Sequence, residues 1–256
     1  MSWYNTGFDG IEKEQQRLDS MMGPGRLWIP VGAQKDIVFV DDEAFCIHEH
    51  NPKMNGNYRN QFTCLLGSAD DVACCQVLGP NSRYYVGYLT AVDCSAWRDK
   101  KGNEHQYEMR LFPAKMGTLK KIRRKKEEKS SLVGAMYKAS RDNADAASVG
   151  DELEFQRVAD LFKLFSVSNY RGKKLSDLWL EAEANVEAMA RLQRTFNVKP
   201  VEGKLPRIVP TFNYFEVLKP RAPQELRLML GQVEPDDDSP TTTAGADGKQ
   251  QDATPF

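Results

Sequence analysis

Histidine and cysteine are scarce in this chain: three and five among 256 residues. An odd cysteine count with no even framework argues against a secreted disulfide scaffold and for a reducing cytosol. No Cys-x-x-Cys pair occurs, so the usual knuckle of a structural zinc site is missing. There is no apolar run of about 18 residues, which excludes a transmembrane helix. Met1-Ser2-Trp3-Tyr4-Asn5 lacks the basic-then-apolar layout of a signal peptide. Neither a Gly-x-x-x-x-Gly-Lys-Ser/Thr phosphate loop nor a Gly-x-Ser-x-Gly elbow is present. His48-Glu49-His50 is not followed by the Pro-Cys-x-x-Cys half of a zinc deaminase. Carboxylate pairs such as Asp41-Asp42 and Asp70-Asp71 read as turns. No catalytic set is legible, and the chain is not expected to be an enzyme.

Net charge is also nearly absent, at −1 from 35 Lys+Arg against 36 Asp+Glu. That average hides a separation. Residues 233–256 hold six acids and one base, a net of −5, which leaves +4 for residues 1–232. Within the body, residues 115–129 hold eight bases against Glu127 and Glu128, a local net of +6. A basic body with an acidic tail suits a protein that meets nucleic acid without holding it too tightly.

The texture along the chain is strand-rich up to about residue 158. Strands are expected at 36–40 (DIVFV), 45–50, 59–66, 84–94 (YYVGYLTAVDC) and 105–112, with a hairpin turn at 100–103. In the last of these, Tyr107, Met109 and Leu111 fall on one face, Glu108 and Arg110 on the other. Residues 117–129 read as a short basic helix with Leu119 and Ile122 as its packing stripe. Strands return at 132–140 and 152–158. Five short strands with one helix before the end of the sheet suit a β-rich α+β protein built on an OB-fold, a five-stranded Greek-key barrel. Other small barrels fit the same string.

Beyond residue 160 the chain reads as helical, with Ser176 as N-cap of a helix running to Phe196 and a second helix from Pro223 to Gly231. The expected organisation is a short N-terminal arm (1–26), the OB-fold domain (27–160), C-terminal helices (161–232) and a disordered acidic tail (233–256).

Single-strand binders combine a cationic groove with aromatic faces that stack on bases. The candidate DNA-binding residues are Lys53, Arg59, Phe62, Tyr84, Tyr88, Trp97, Arg98, Arg110, Lys115, Lys120, Lys121, Arg123, Arg124, Lys125 and Tyr137. About half of the aromatics must belong to a core instead, and a charge run is usually a solvated helix face. The dense run beside an aromatic, strand-rich body favours the binding reading. In the tail, Asp236, Asp237, Asp238, Asp252, Pro255 and Phe256 form a candidate partner-binding segment.

Ligand-type residues cluster as well. His50, Cys64, Cys74 and Cys75 make a degenerate candidate zinc site. Adjacent cysteines rarely both reach one ion, so three ligands are readily supplied and the fourth is open; buried or half-buried loop cysteines without metal are the favoured reading and bound zinc the alternative. No cofactor is required by the reading, with zinc as the one candidate.

Several segments together resemble the replicative single-stranded-DNA-binding proteins of tailed bacteriophages. They are residues 45–50, 60–65 (NQFTCL), 71–75, 85–87 (YVG), 118–121 (TLKK), 132–137 (LVGAMY), 148–155 (SVGDELEF) and 214–218 (YFEVL). The resemblance spans most of residues 27–231. It implies an OB-fold core, sequence-independent ssDNA binding in replication, recombination and repair, and a location in the host cytoplasm. It also implies an acidic tail that regulates DNA access and recruits polymerase, helicase or primase. The ending Pro255-Phe256 is similar to that of bacterial single-stranded-DNA-binding proteins. Relatives often hold zinc with a His, a Cys and a Cys-x-x-Cys knuckle. Here one knuckle position, Val72 or Val77, is not cysteine.

The expected function is therefore ssDNA binding and protection, with the 161–232 helices packing on the barrel or supporting self-association along the strand, and no membrane partner. Two other classes fit less well. One is a metal-dependent nuclease or strand-annealing enzyme on ssDNA; the other is an interaction protein that regulates host transcription without binding DNA.

Overall fold

The computed structural model describes residues 23–52, 61–65, 74–75, 78–79, 82–98, 102–150, 152–198, 210–222 and 226. Lys53, Arg59, the tail candidates, and most of the N-terminal arm and the 223–231 helix lie outside the described residues.

The protein is a strand-rich α+β fold. Its strands are β1 (Ala33–Phe39), β2 (Phe45–His50), β3 (Phe62–Thr63), β4 (Arg83–Asp93), β5 (Trp97–Arg98), β6 (Glu104–His105), β7 (Glu108–Lys115), β8 (Ala135–Arg141), β9 (Glu152–Val158), β10 (Asn169–Tyr170) and β11 (Lys173–Lys174). The helices are α1 (Met116–Lys129), α2 (Leu161–Val167), α3 (Leu175–Ala184), α4 (Val186–Thr195) and α5 (Tyr214–Val217).

Nine strands form one sheet in the order β11-β10-β7-β4-β1-β8-β9, with β2 branching from β4 and β3 pairing with β2. The long strand β4 organises it. One edge pairs with β7 along residues 86–93; the other pairs first with β2 and then with β1. The step from β1 to β2 is made at Asp41, whose carboxylate accepts the Thr90 N–H at 2.5 Å and the Tyr214 hydroxyl. Asp42 accepts from Leu132 N–H at 2.7 Å and from Ser131. These two acids are turn fasteners.

β4 reads as nearly continuous apolar sequence because both of its faces are buried. Ile37, Phe39, Leu89, Ala91, Phe112 and Tyr137 pack on one side with Ile122 of α1. Val38, Val86, Tyr88, Val92, Met109 and Leu111 pack on the other, beneath Leu164, Trp179, Leu192, Phe212 and Tyr214. The C-terminal helices therefore share a core with the sheet. The single helix expected from Ser176 to Phe196 is broken at Asn185. Its side chain accepts from Glu187 N–H at 2.8 Å and caps α4, while α3 starts at Lys174 with no side-chain cap. An interior Asn that can satisfy free helix N–H groups favours such a restart.

Strands β7, β4, β1, β8 and β9 lie side by side, with α1 between β7 and β8. Pairing of β7 with β9 would close this set, and no such pair occurs among the described residues. Residues 25–29 run instead from β7 to Ser148, in the connection between β8 and β9. Leu27 N–H donates to Leu111 O at 2.7 Å, Leu111 N–H to Gly25 O at 3.0 Å, and Ile29 N–H to Ser148 O at 2.8 Å. Leu27 and Ile29 are 2% and 0% exposed.

Gly150 precedes β9 with φ +95°, and a Cβ there would stand 2.7 Å from Ser140 O. Gly150→Ala should cost about 1–3 kcal/mol. A urea midpoint unchanged from the parent would show that the backbone relaxes there.

Candidate metal centre and nucleic-acid surface

His50 ends β2, and Cys64 follows β3 directly. The antiparallel register His50↔Phe62 and the Cys64 N–H to His48 O bond at 2.8 Å bring the two together. Cys74 and Cys75 come in on a helical turn held by Gly79 N–H to Cys75 O at 3.0 Å. Phe62, Leu78 and Leu226 pack around Cys74 as a small separate core.

The ligand atoms of His50, Cys64, Cys74 and Cys75 all lie within 4.8 Å of one another. Cys64 Sγ is 3.7 Å from Cys75 Sγ and 3.9 Å from Cys74 Sγ, and Cys75 Sγ is 3.4 Å from His50 Nε2. Sulfurs about 2.3 Å from a shared tetrahedral ion stand about 3.8 Å apart. The cluster could hold a metal ion, and the adjacent cysteines both take part. That corrects the expectation that Cys74-Cys75 would supply only one ligand: Cys64 approaches both thiols closely.

The surroundings of the imidazole favour the tautomer that a metal ligand needs. Ser82 Oγ lies 3.1 Å from Leu78 O and 2.9 Å from Gly79 O, and these carbonyls can only accept. The one hydroxyl hydrogen is thereby committed, so at 2.9 Å the hydroxyl accepts from His50 Nδ1–H. The Nε2 lone pair then faces the sulfurs. Burial, helped by the charge of Arg83, lowers the His50 pKa and keeps the ring neutral. Without an ion, burial and the neighbouring Cys64 thiol push Cys75 up to about 11. Ser82→Ala should weaken metal affinity by about tenfold, the usual loss on removing an orienting partner. Competition with a chromophoric chelator measures this; unchanged affinity would refute the orienting role.

The same β2–β4 ribbon carries a surface. Cys46, His48 and His50 alternate onto one face of β2, opposite Gly87, Tyr85 and Arg83 of β4. The His48 and Tyr85 rings meet edge-on at 5.2 Å, and Tyr85 is 36% exposed. At one end of this strip is the Cys/His cluster. At the other end Leu119 of α1 closes over Gly87, where a Cβ would stand 2.6 Å from Leu119 Cδ2 and 3.1 Å from Ala44 Cβ. The absence of a side chain at Gly87 lets α1 lie flat on the ribbon.

Lys115 precedes α1, and Lys120, Lys121, Arg123 and Arg124 are exposed on it; Lys125 is half-buried. Arg123 pairs with Glu127 at 3.0 Å, Lys125 with Glu128 at 3.2 Å, and Lys121 with Glu152 at 3.4 Å. Such exposed pairs are weak and exchangeable. Lys120 and Arg124 have no acidic partner among the described residues.

Several aromatic candidates are displaced from this surface. Tyr88 and Tyr137 are 0% exposed and Phe62 is 3% exposed, so all three serve the core and cannot stack on bases. Tyr84 is half-buried, and its hydroxyl donates to Glu49 Oε2 at 2.7 Å. Trp97 stacks on His105 at 4.3 Å and donates to Glu108 Oε2 at 3.2 Å. Arg110 bonds the same carboxylate, and Arg98 is paired with Glu104 on the surface. These residues form a structural group at the β5–β6 hairpin, away from the ribbon's register. Alternation along 105–112 missed Glu108, which is buried because Trp97 and Arg110 satisfy it.

Sequence reasoning passed over Tyr85 and His48. The pleat of β4 puts Tyr85 and Tyr88 on opposite faces, but it is the burial of Tyr88 in the structure that shows Tyr85 to be the outward one. Tyr137→Phe should leave nucleic-acid affinity unchanged and stabilise the fold by about 1 kcal/mol, since the buried hydroxyl has no partner. Weaker DNA binding by this variant would return Tyr137 to the surface.

Among the described residues, no helix is long and apolar enough to cross a membrane. Comparison with family models, curated proteins and solved structures finds no match, so the surface and the Cys/His cluster are the grounds for a functional reading.

Proposed function

We propose that this protein binds single-stranded DNA without sequence preference, as a non-enzymatic replication or recombination protein built on an OB-type barrel. The observation that carries the reading is the β2–β4 strip, where the exposed Tyr85 ring and the half-buried His48 ring against it sit between the basic face of α1 and the Cys/His cluster. Bases would stack on Tyr85 while Lys120, Lys121, Arg123 and Arg124 neutralise phosphates. The strand order β7-β4-β1-β8-β9 with α1 between β7 and β8 supports the OB reading, with residues 25–29 lying at the seam.

The cluster of His50, Cys64, Cys74 and Cys75 is best suited to structural zinc: three sulfurs and one imidazole, near-tetrahedral spacing and no ligand position left for substrate. Zinc would tie the loop ends that carry Cys64, Cys74 and Cys75 to the end of β2 and so set the strip. The acidic tail is the element proposed to contend with DNA and to recruit polymerase, helicase or primase.

Titration of a fluorescent oligonucleotide by the full-length protein and by a 1–232 truncation, each at two salt concentrations, tests the reading. Binding should fall steeply with salt and tighten when the tail is removed. No binding by the truncated protein at low salt would overturn it.

A further inference from the structure

Three of the five cysteines converge at the metal cluster, and they differ in accessibility. Cys74 is 2% exposed, and its sulfur accepts Leu65 N–H at 3.2 Å. Cys64 and Cys75 are both half-buried, with their sulfurs 3.7 Å apart. Joining Cys74 to Cys75 would require a strained ring closed through a single peptide bond. Cys64 and Cys75 come from different segments and need only a small approach to reach bonding distance. Cys46 is exposed on the same strand but is not among the clustered ligands. Cys94 is buried.

We propose that the Cys64–Cys75 pair makes the strip redox-responsive: hydrogen peroxide joins the two sulfurs, the ion is released, and the hold on single-stranded DNA weakens. This rests on the zinc and DNA readings above. The chemistry balances with peroxide as the two-electron oxidant. One thiolate attacks a peroxide oxygen, the O–O bond breaks, and the departing hydroxide takes a proton to become water. The resulting sulfenic acid is attacked by the second thiolate, the S–S bond forms, and a second hydroxide leaves and is protonated. Two sulfurs have lost two electrons, and one peroxide has become two waters. His50 and Cys74 alone are too few ligands for a tetrahedral ion, so it departs.

The link to DNA is through β2. His50 is its last residue, and His48 stands two positions earlier on the same face, against Tyr85. Cys64 N–H also bonds His48 O at 2.8 Å. A disulfide pulls Cys64 toward Cys75 and removes the ion that held His50. The strand end that presents His48 beside Tyr85 then loses one of its anchors and keeps the His50–Ser82 bond and the pairing with β4. A dithiol reductant and added zinc restore the site.

The test uses full-length protein loaded with zinc and stepwise hydrogen peroxide. Released zinc is read with a chromophoric chelator, the bridge by peptide mapping after alkylation, and DNA affinity by oligonucleotide titration. The expected result is stoichiometric zinc release together with a Cys64–Cys75 disulfide and weaker DNA binding, all reversed by dithiothreitol plus zinc. Cys46→Ser should release zinc and form the Cys64–Cys75 bridge like the parent. Retention of zinc while Cys46 alone oxidises would overturn the proposal and leave the zinc reading intact. Zinc release and bridging with unchanged DNA affinity would overturn the coupling. A reduced protein that carries no zinc would overturn the zinc reading and this proposal together. One that carries zinc but binds no DNA would overturn the DNA reading and the final link here, while metal release and the bridge still report on the switch.

Discussion

Glu49→Ala should lower folding stability by about 3–5 kcal/mol, the range for stranding the partners of a buried charge. The carboxylate is 1% exposed and is fully used. Arg26 grips it with both guanidinium nitrogens, at 3.0 and 2.8 Å. The Tyr88 hydroxyl donates to Oε1 at 2.5 Å and the Tyr84 hydroxyl to Oε2 at 2.7 Å. Alanine removes every acceptor at once. Tyr88, at 0% exposure, cannot turn to water for a replacement, whereas the Arg26 side chain is 25% exposed and partly can. Burial and the nearby Glu49 charge push the pKa of both tyrosines up, so they remain donors throughout the working pH range. Glu49→Gln should fall between parent and alanine, because it keeps one acceptor and points an N–H₂ at other donors. Denaturant midpoints for these variants, with Arg26→Ala to complete a double-mutant cycle, measure the network. A loss below about 1 kcal/mol for Glu49→Ala would mean that it behaves as a surface pair.

The second large effect concerns DNA. Reversing Lys120, Lys121, Arg123 and Arg124 to glutamate should abolish measurable ssDNA binding at moderate salt. Neutralising four bases alone removes up to about four phosphate contacts and reduces the salt slope by about 0.7 for each. The four side chains are exposed on α1, so the fold should survive the change. Tyr85→Ala is the complementary variant. It should cost about 1–3 kcal/mol of binding while leaving the salt slope unchanged, because stacking releases no counterions. A slope that stays the same after charge reversal would place the DNA elsewhere. Gly87→Val, which forces Leu119 away from the ribbon, should weaken binding without touching any charge. Circular dichroism separates that outcome from simple unfolding.

Much of this architecture was legible. The strand at 84–94, the basic helix at 117–129 and the strands at 132–140 and 152–158 all appear with small shifts of boundary, because β-branched and aromatic content and a two-residue packing stripe are local signals. The core helices were legible as helices but not as one half of a shared core. That depends on which face of β4 looks outward, and a strand buried on both sides carries no alternation to reveal it. The same ambiguity misplaced Tyr88; Tyr137 lies on β8, whose buried and half-buried residues alternate, so Lys138 and Ser140 already marked its outer face. The Cys/His set was legible as a set, but its convergence was not, because it depends on strand register and on a turn that brings Cys74 and Cys75 to Cys64. The buried network around Glu49 left no trace in sequence. A Glu between two histidines looks like solvent-facing polarity until Arg26, Tyr84 and Tyr88 arrive from distant positions.

Residues 25–29 occupy the seam beside β7, and this fixes an order of events during synthesis. Leu27 and Ile29 are made before β7 and β8, yet Ile29 acquires its partner only when Ser148 has been made. Before residues 25–27 dock on it, the edge of β7 near Leu111 is an unpaired template for any other strand. A contact spanning that much chain forms slowly. Nascent or heat-stressed chains are therefore most exposed to wrong pairing at this edge, and a soluble peptide copying residues 23–31 should suppress aggregation on refolding by occupying it.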